Sequence, residues 1–554
     1  MMNKKLPLFL ILLLAVVLRF WQFAKVPVAL NRDEASLAYN SFAILKTFKE
    51  EHGSFLPLQI ESFGDWKLPG YVYSLLPFLA IFGLEDWVVK FPSALASLGI
   101  IFTSFYLVKK WSKDELLAIL TALILAITPW SIHFAKVAYE ANLALFFWLL
   151  GFCFFEILLE QIKKKQTATK YSLLVILCWS LTVFTYHAFQ IFTPIMAIYL
   201  FVSNYYLFFD HFNKFKKSLF VNLVFLFFCA ALFIFSGFKQ ANTVKFSGLS
   251  IFENAHYNEQ MFQDRQRFSN PSSMWAKLYV NDLSVIGQQL SINIFKVFSA
   301  DFLFIKGGTN SSHNVSRVAN LYPLQALLII IALIFFIQEK KPWQKLILFM
   351  TLAAIIAPII TFDANHSTRA FALLIPLSVI SAYGLRKIWD KRLIFIPVVF
   401  LLVYSVYHFF INYFLIAPKL DLDSSNWYMK ELTSQVWQKK DQRQFVVFSE
   451  VGTTPYIYFL YYLKYNPTLL TKNLTYYNLD LEGFRYAKSL ENIYFINEKD
   501  VFKDLLKEKT GDFLYVSRVG GDSLHIKENY AYEVVGEVAD SLSKVIYQIL
   551  DVKR

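Results

Sequence analysis

Three features of the chain predict an α-helical polytopic membrane protein, with about eleven transmembrane helices, interfacial helices and a small C-terminal α/β extracytoplasmic domain. The 554 residues are 56% hydrophobic and only 17% charged, with a mean hydropathy of +0.43, too apolar for a soluble globular chain. Apolar runs long enough to cross a bilayer recur between short clusters of lysine and arginine. Beyond Leu420 those runs stop, and amphipathic and alternating segments take their place.

The net charge of +13 does not point to nucleic acid, because the basic residues form neither a stripe nor a tail. They sit between apolar runs, where they act as topology signals. Cys153, Cys178 and Cys229 all fall inside apolar runs without a CxxC or Cys/His spacing, which excludes a disulfide framework and a cysteine metal site. The first apolar run, 6–23, follows Lys4-Lys5 as a signal peptide would, but its length, its terminal aromatics and the lack of a small-residue cleavage site make it an uncleaved span.

Spans are expected at 6–24, 88–108, 115–130, 142–160, 171–186, 189–209, 218–237, 321–338, 346–362, 370–385 and 393–412. Residues 68–82 are apolar but short and broken by Pro69, Gly70 and Pro77. If they do not cross, the clusters at Lys4-Lys5, Lys109/Lys110/Lys113, Lys163 to Lys170, Lys214/Lys216/Lys217, Lys340/Lys341/Lys345 and Arg386 to Arg392 all share one side, the cytoplasmic one. The stretch is then a re-entrant or interfacial helix, joined by a second with an apolar face of Ala35, Leu37, Phe42, Leu45 and Phe48. The expected domains are a transmembrane domain, 1–412, with outer loops 25–87, 131–141, 238–320 and 363–369, and an extracytoplasmic α/β domain, 413–554. In the latter, helices are expected at 424–438 and 499–508, and strands at 445–449, 492–496, 513–517 and 544–550.

Acids, bases and imidazoles gather on the outer side: Asp33-Glu34, "ESFGDWKLPG" with Glu61, Asp65 and Lys67, "HFAKVAYEAN" with His133, Lys136 and Glu140, "TYHAFQ" with His187, "GGTNSSHNVSR" with His313 and Arg317, and "DANHSTRA" with Asp363, His366 and Arg369. Ionisable groups near membrane depth are functional candidates by default. Each has a plainer explanation. Asn31-x-x-Glu34 spells a capping box, with Asp33 favoured by the helix dipole. Lys67 suits a snorkelling anchor, Glu140 a helix start, and His187 an interfacial anchor. The glycine loop 306–314 lacks the GxxxxGK[ST] spacing and reads as a flexible loop; Asn310 and Asn314 open glycosylation sequons, a pattern with many chance matches. No HExxH or GxSxG occurs.

Taken together, the Asp-Glu pair after the first span, the Lys-x-Pro entry in "GDWKLPGYVYSLLPFLAIFG", the span introduced by "WVVKFPSALAS", the acid of the next outer loop and "NHSTRAFALLIPLSVISAYGL" resemble the GT-C glycosyltransferases. Within them the chain is most similar to bacterial relatives of protein O-mannosyltransferases and aminoarabinose transferases. The resemblance implies a GT-C fold and transfer of a sugar from a polyprenyl-phosphate donor to an acceptor outside the cytoplasmic membrane. By it Asp33 is the catalytic base, Glu140 a second catalytic acid where relatives often carry Asp, and Lys67 the holder of the carrier phosphate, although relatives read Lys-Pro-Pro where this chain has Lys67-Leu68-Pro69. Glu34, Asp65, His187, His366 and Arg369 are the further substrate-binding candidates. The metal ligands of some relatives have no matching motif, so a divalent cation stays open as a cofactor and no residue is named a metal ligand. The implied partners are the lipid-linked donor, membrane lipid and a protein, lipid or glycan acceptor, with no nucleic acid. The competing expectation is a transporter or flippase for a lipid-linked or anionic substrate, which calls for mid-span charges and an inverted repeat.

Overall fold

The computed structural model describes the chain except for residues 1–5, 167, 211–225, 228–229, 231–249, 253–254, 311–312, 421–425, 450–453, 481–482, 497–498, 521–522 and 541–542. Of the sequence expectations, Lys4-Lys5, Lys214/Lys216/Lys217, Cys229 and nearly all of the span 218–237 lie outside the described residues. The chain divides into two compact units: a helical unit, Met1–Val26 with Lys90–Ala417, and a mixed unit, Pro27–Val89 with Pro418–Arg554. Residues 27–89, read from the sequence as an outer loop of the membrane domain, thus fold with the C-terminal region.

Among the described residues, five helices are long and apolar enough to cross a membrane: Asp86–Ser112, Glu140–Lys163, Pro342–Ile359, Phe371–Ile388 and Arg392–Leu420. A sixth candidate is the pair Glu115–Ile127 and Pro129–Ala135, bent by 59°. Leu6–Phe20, Thr169–Val183, His187–Ser203 and Pro323–Glu339 are apolar but shorter. Apart from 218–237, every expected span therefore coincides with helix, and by length and composition fewer of these helices qualify as full crossings than the sequence suggested.

The bend in the sixth candidate has an identifiable cause. Pro129 has no N–H for the carbonyl of Leu125, and the N–H of Trp130 donates to the carbonyl of Asn320 at 3.0 Å instead of continuing the helix to Ala126. Two carbonyls are orphaned in apolar surroundings, where each must find another donor. Arg19, fully buried, supplies both: it donates to Leu125 O at 3.2 Å and Ala126 O at 3.0 Å, and also to the hydroxyls of Ser97 and Ser131 and the carbonyl of Ala15. All five guanidinium N–H donors are thereby used. The next carbonyl, Ile127, accepts from the Tyr322 hydroxyl at 2.7 Å. Below the break, Trp130 meets Phe134, Phe302 and Phe371 edge-on, and Phe134 stacks on Phe371 at 4.2 Å. Gly384 allows close contact between Pro323–Glu339 and Leu374–Ile388, because a Cβ there would stand 2.0 Å from Leu328 O.

In the mixed unit, the Arg32–Thr47 helix begins at the expected capping box and ends at Phe48 in the left-handed region. Its buried face is not the expected one. Ala35, Leu37, Ala38, Tyr39, Ala43 and Ile44 are buried, whereas Phe42 and Leu45 are half-buried and Phe48 is exposed, because the helix packs on Gly70–Phe82 and Tyr456–Tyr462 of its own unit. Gly70–Phe82 is the apolar stretch whose crossing was in question; Ser41 of the neighbouring helix donates to its Val72 carbonyl. Tyr71 is buried, with its hydroxyl on Val89 O at 2.8 Å.

Strands β1 (Ile60–Ser62) and β2 (Asp65–Lys67) form a hairpin whose two turn residues, Phe63 and Gly64, both have positive φ, as a tight primed turn requires. Gly64 is required a second time, since a Cβ would lie 2.2 Å from Gly483 O. The other strands are β3 (Phe445–Ser449), β4 (Leu474–Tyr476), β5 (Ala487–Leu490), β6 (Ile493–Ile496), β7 (Phe513–Arg518), β8 (Ala531–Ala539) and β9 (Val545–Lys553). They make one sheet in the order β4-β5-β6-β3-β7-β9-β8, parallel at β6-β3-β7 and antiparallel elsewhere. The four strands and two helices expected here are present within a few residues. The short β4 and β5 and the weakly buried β8 were not anticipated.

The N-terminal part of this unit is fastened to the C-terminal part by Tyr39 Oη on Tyr465 O (3.0 Å), Arg485 N on Phe63 O (3.0 Å), Arg485 Nε beside Glu61 Oε1 (3.1 Å) and Tyr456 Oη on Glu51 Oε1 (3.3 Å). His52 lies 3.5 Å from Glu51 and against the Tyr476 ring at 4.7 Å. Burial works to lower its pKa, but the Glu51 carboxylate, with Glu50 and Glu61, outweighs burial and holds it above the usual imidazole value.

Two measurements follow from these contacts. Arg19→Leu orphans two buried carbonyls at a cost of about 1–3 kcal/mol each, so the melting temperature in detergent should fall by several degrees; an unchanged melt would remove the staple argument. A folded-state imidazole pKa above the unfolded ~6.5 stabilises fully below that pH and progressively less as pH rises through the higher folded value. Wild-type protein should therefore lose stability across that window relative to His52→Phe, and parallel pH–stability curves would contradict the assignment.

Candidate active site

The acid pair stands where the Arg32–Thr47 helix starts. Glu34 is spent on the cap: its Oε2 accepts from Asn31 N at 3.0 Å, its own N–H donates to Asn31 Oδ1 at 2.9 Å, and the residue is 2% exposed. Asp33, one residue earlier, points elsewhere. Its Oδ1 accepts from Lys67 Nζ at 2.8 Å, and the same ammonium reaches the Asp33 carbonyl at 3.3 Å. The hairpin makes this possible, because the tight Phe63-Gly64 turn brings β2 back and leaves Lys67 at its end. The two partners differ in exposure: the Lys67 side chain is 6% exposed and the Asp33 side chain 44%. A buried ammonium thus holds a carboxylate that an outside hydroxyl can approach. Phe63 presents its ring to both Lys67 (5.8 Å) and Arg32 (5.7 Å). Asp65 turns onto the backbone, accepting from Trp66 N at 2.9 Å.

In the helical unit a second group of candidates meets around Tyr186. Its hydroxyl donates to Thr368 Oγ1 at 2.8 Å, and Thr368 lies 2.8 Å from His366 Nδ1. The Thr368 hydroxyl thus links the Tyr186 phenol to the His366 imidazole in one hydrogen-bonded chain. Glu140 opens the Glu140–Lys163 helix and His187 the His187–Ser203 helix, both half-buried. Arg369 donates to Asp363 Oδ1 at 2.5 Å and to Thr361 Oγ1 at 2.9 Å, so its charge is matched by a carboxylate. His366 is buried, with the His313 ring 4.7 Å away.

The loop 306–314, expected to be flexible, is tied to this turn through its described residues. Asn314 Oδ1 accepts from Gly308 N and from Ser367 Oγ, while its amide nitrogen donates to Asn310 O. That use of the amide speaks against a sugar at the Asn314 sequon. Among the described residues no three His, Cys, Asp or Glu side chains converge as a metal-ligand set, so no cation site is built here and no step is drawn through one. Tyr186 and Thr368 were not singled out from the sequence; uncharged residues inside charged motifs carry no signal of their own.

No family model matches the chain, and no curated protein matches it. Among solved structures, it is similar to ArnT, an aminoarabinose transferase, from Cupriavidus metallidurans, crystallised with undecaprenyl phosphate, at 12% identity and a TM-score of 0.56, covering 99% of this chain and 98% of that one. A weaker likeness is to the oligosaccharyltransferase of Archaeoglobus fulgidus crystallised with zinc and sulfate, at 13% identity and a TM-score of 0.48, over 98% of this chain and 72% of that one. Over essentially its whole length, the chain shares the fold of that ArnT structure.

Proposed function

We propose that this protein transfers a sugar, with inversion, from a polyprenyl-phosphate carrier to an acceptor hydroxyl on the extracytoplasmic side of the membrane. The observation that carries the reading is the Asp33–Lys67 ion pair, on a chain that matches the ArnT fold from end to end. The charge distribution supports a cytoplasmic N-terminus and an extracytoplasmic C-terminal region.

The chemistry follows from the charges. The acceptor oxygen attacks the anomeric carbon as the carbon–oxygen bond to the carrier phosphate breaks through an oxocarbenium-like state, and the acceptor proton passes to a carboxylate. Asp33 is that base. Lys67 orients it before the acceptor arrives, and its cationic head also meets the carrier phosphate as negative charge grows there. Phosphate departs as an anion, so no general acid is needed. Within the helical unit, His366 and Arg369 are assigned as donors to an anionic group of the substrate, Glu140 to a second acidic role, and His187 to substrate contact. Asp65 has the same assignment on the hairpin. Glu34 acts through Asp33, by fixing the helix start that presents it.

The test is turnover of a radiolabelled panel of polyprenyl-phosphate sugars by purified protein in lipid. Asp33→Asn should lower kcat by about 10²–10⁴-fold while carrier binding persists. Lys67→Met should both lower kcat and raise KM for the carrier, since it serves base and phosphate alike. Wild-type turnover in Asp33→Asn would end the base assignment, and absence of turnover with every donor would turn attention to transport.

A further inference from the structure

A cavity of about 420 Å³ opens in the mixed unit between the Met429–Lys439 helix and the end of Tyr456–Tyr462, lined by Lys430, Glu431, Ser434, Gln435 and Tyr462 among others. Its volume falls in the range of small-molecule sites, about 300–1,000 Å³. Three observations give it a chemistry. Tyr462 offers a half-buried ring backed by Tyr458 in a near-parallel stack (14°, centroids 6.1 Å apart), with the Lys430 ammonium 5.8 Å from its centre. Glu431 is held in place, accepting from Gln435 Nε2 at 3.0 Å, while Gln435 is itself anchored on the Glu537 carbonyl at 3.2 Å. The polar lining has one cation and one carboxylate, so it is electrically balanced, unlike a pocket for a phosphate. An aromatic face with preset hydroxyl, carboxylate and ammonium groups suits a neutral polyhydroxylated ring.

The cavity also borders the acid turn. The Tyr456–Tyr462 helix packs on the Arg32–Thr47 helix, whose first turn carries Asp33 and Glu34. Tyr458 is fixed in turn by Asn426, which donates to its oxygen at 3.0 Å. We propose that this cavity is an acceptor subsite that binds a neutral sugar unit of a glycan acceptor, stacked on Tyr462 and hydrogen-bonded by Lys430, Glu431 and Ser434, one tyrosine pair away from Asp33. The inference rests on the transferase reading and names its acceptor class.

The experiment is saturation-transfer NMR on the full chain in nanodiscs, titrated with neutral glucose-, mannose- and N-acetylglucosamine-based disaccharides. At least one should bind saturably. Tyr462→Ala should weaken it tenfold or more, and Lys430→Ala, an exposed position that does not threaten folding, by a smaller but measurable factor. Equal affinity in both variants and wild type, or no saturable binding of any of the three, overturns the proposal. Donor turnover measured in parallel separates the two readings: turnover without disaccharide binding removes the subsite alone, whereas disaccharide binding lost in Tyr462→Ala without turnover leaves a sugar site and removes the transferase.

Discussion

The helical unit depends on how one proline's damage is repaired. A helix can run through an apolar medium only because it satisfies its own backbone, and Pro129 breaks that closure. Arg19 restores it from the end of the first helix with a full set of neutral acceptors, and Tyr322 completes the repair at Ile127. The consequence is a 59° turn followed by a short helix, after which the chain can re-enter as the Glu140–Lys163 helix with an acid at its first position. A charged side chain at this depth has a structural task, and its use of all five donors explains how a fully buried guanidinium is tolerated.

The mixed unit shows a different economy of contacts. A loop of some sixty residues with little sheet of its own could not hold a lysine and an aspartate in register by local structure alone. It borrows rigidity from the C-terminal sheet and its helices: Tyr39 and Phe63 reach the later backbone, Glu61 pairs with Arg485, and Gly64 sits so near Gly483 that no side chain fits. Precision at Asp33 is therefore a property of a unit assembled from two distant parts of the chain. That arrangement gives the C-terminal region a mechanical part in presenting Asp33.

The candidate groups are also more thoroughly paired than their residue types suggest. Asp33 is matched by Lys67 and Asp363 by Arg369, while Glu34 is consumed by its cap. Ion pairs of this kind keep buried cations affordable in the resting protein, and an anionic ligand must compete with a carboxylate for each. His366 differs. Its Nδ1 meets the Thr368 hydroxyl, which in turn accepts from Tyr186, so a neutral hydroxyl chain orients its ring.

Much of this was legible in the sequence. Apolar run length marked the helices, because crossing a bilayer is a local requirement on consecutive residues; Asn31-x-x-Glu34 announced its own cap; and alternation marked the central strands of the C-terminal sheet. The sequence likewise singled out Asp33, Lys67, His366 and Arg369, since charge beside an apolar run is conspicuous wherever it lies. It could not show that residues 27–89 belong with 418–554, that Arg19 closes a break more than a hundred positions away, that Phe48 faces outward, or that Lys67 would meet Asp33 across a two-residue turn. Those outcomes hang on which distant donor finds which acceptor once the apolar surfaces have packed. Periodicity and run length determine what each segment can become; only the closing of long-range hydrogen bonds and ion pairs decides which segments become one site.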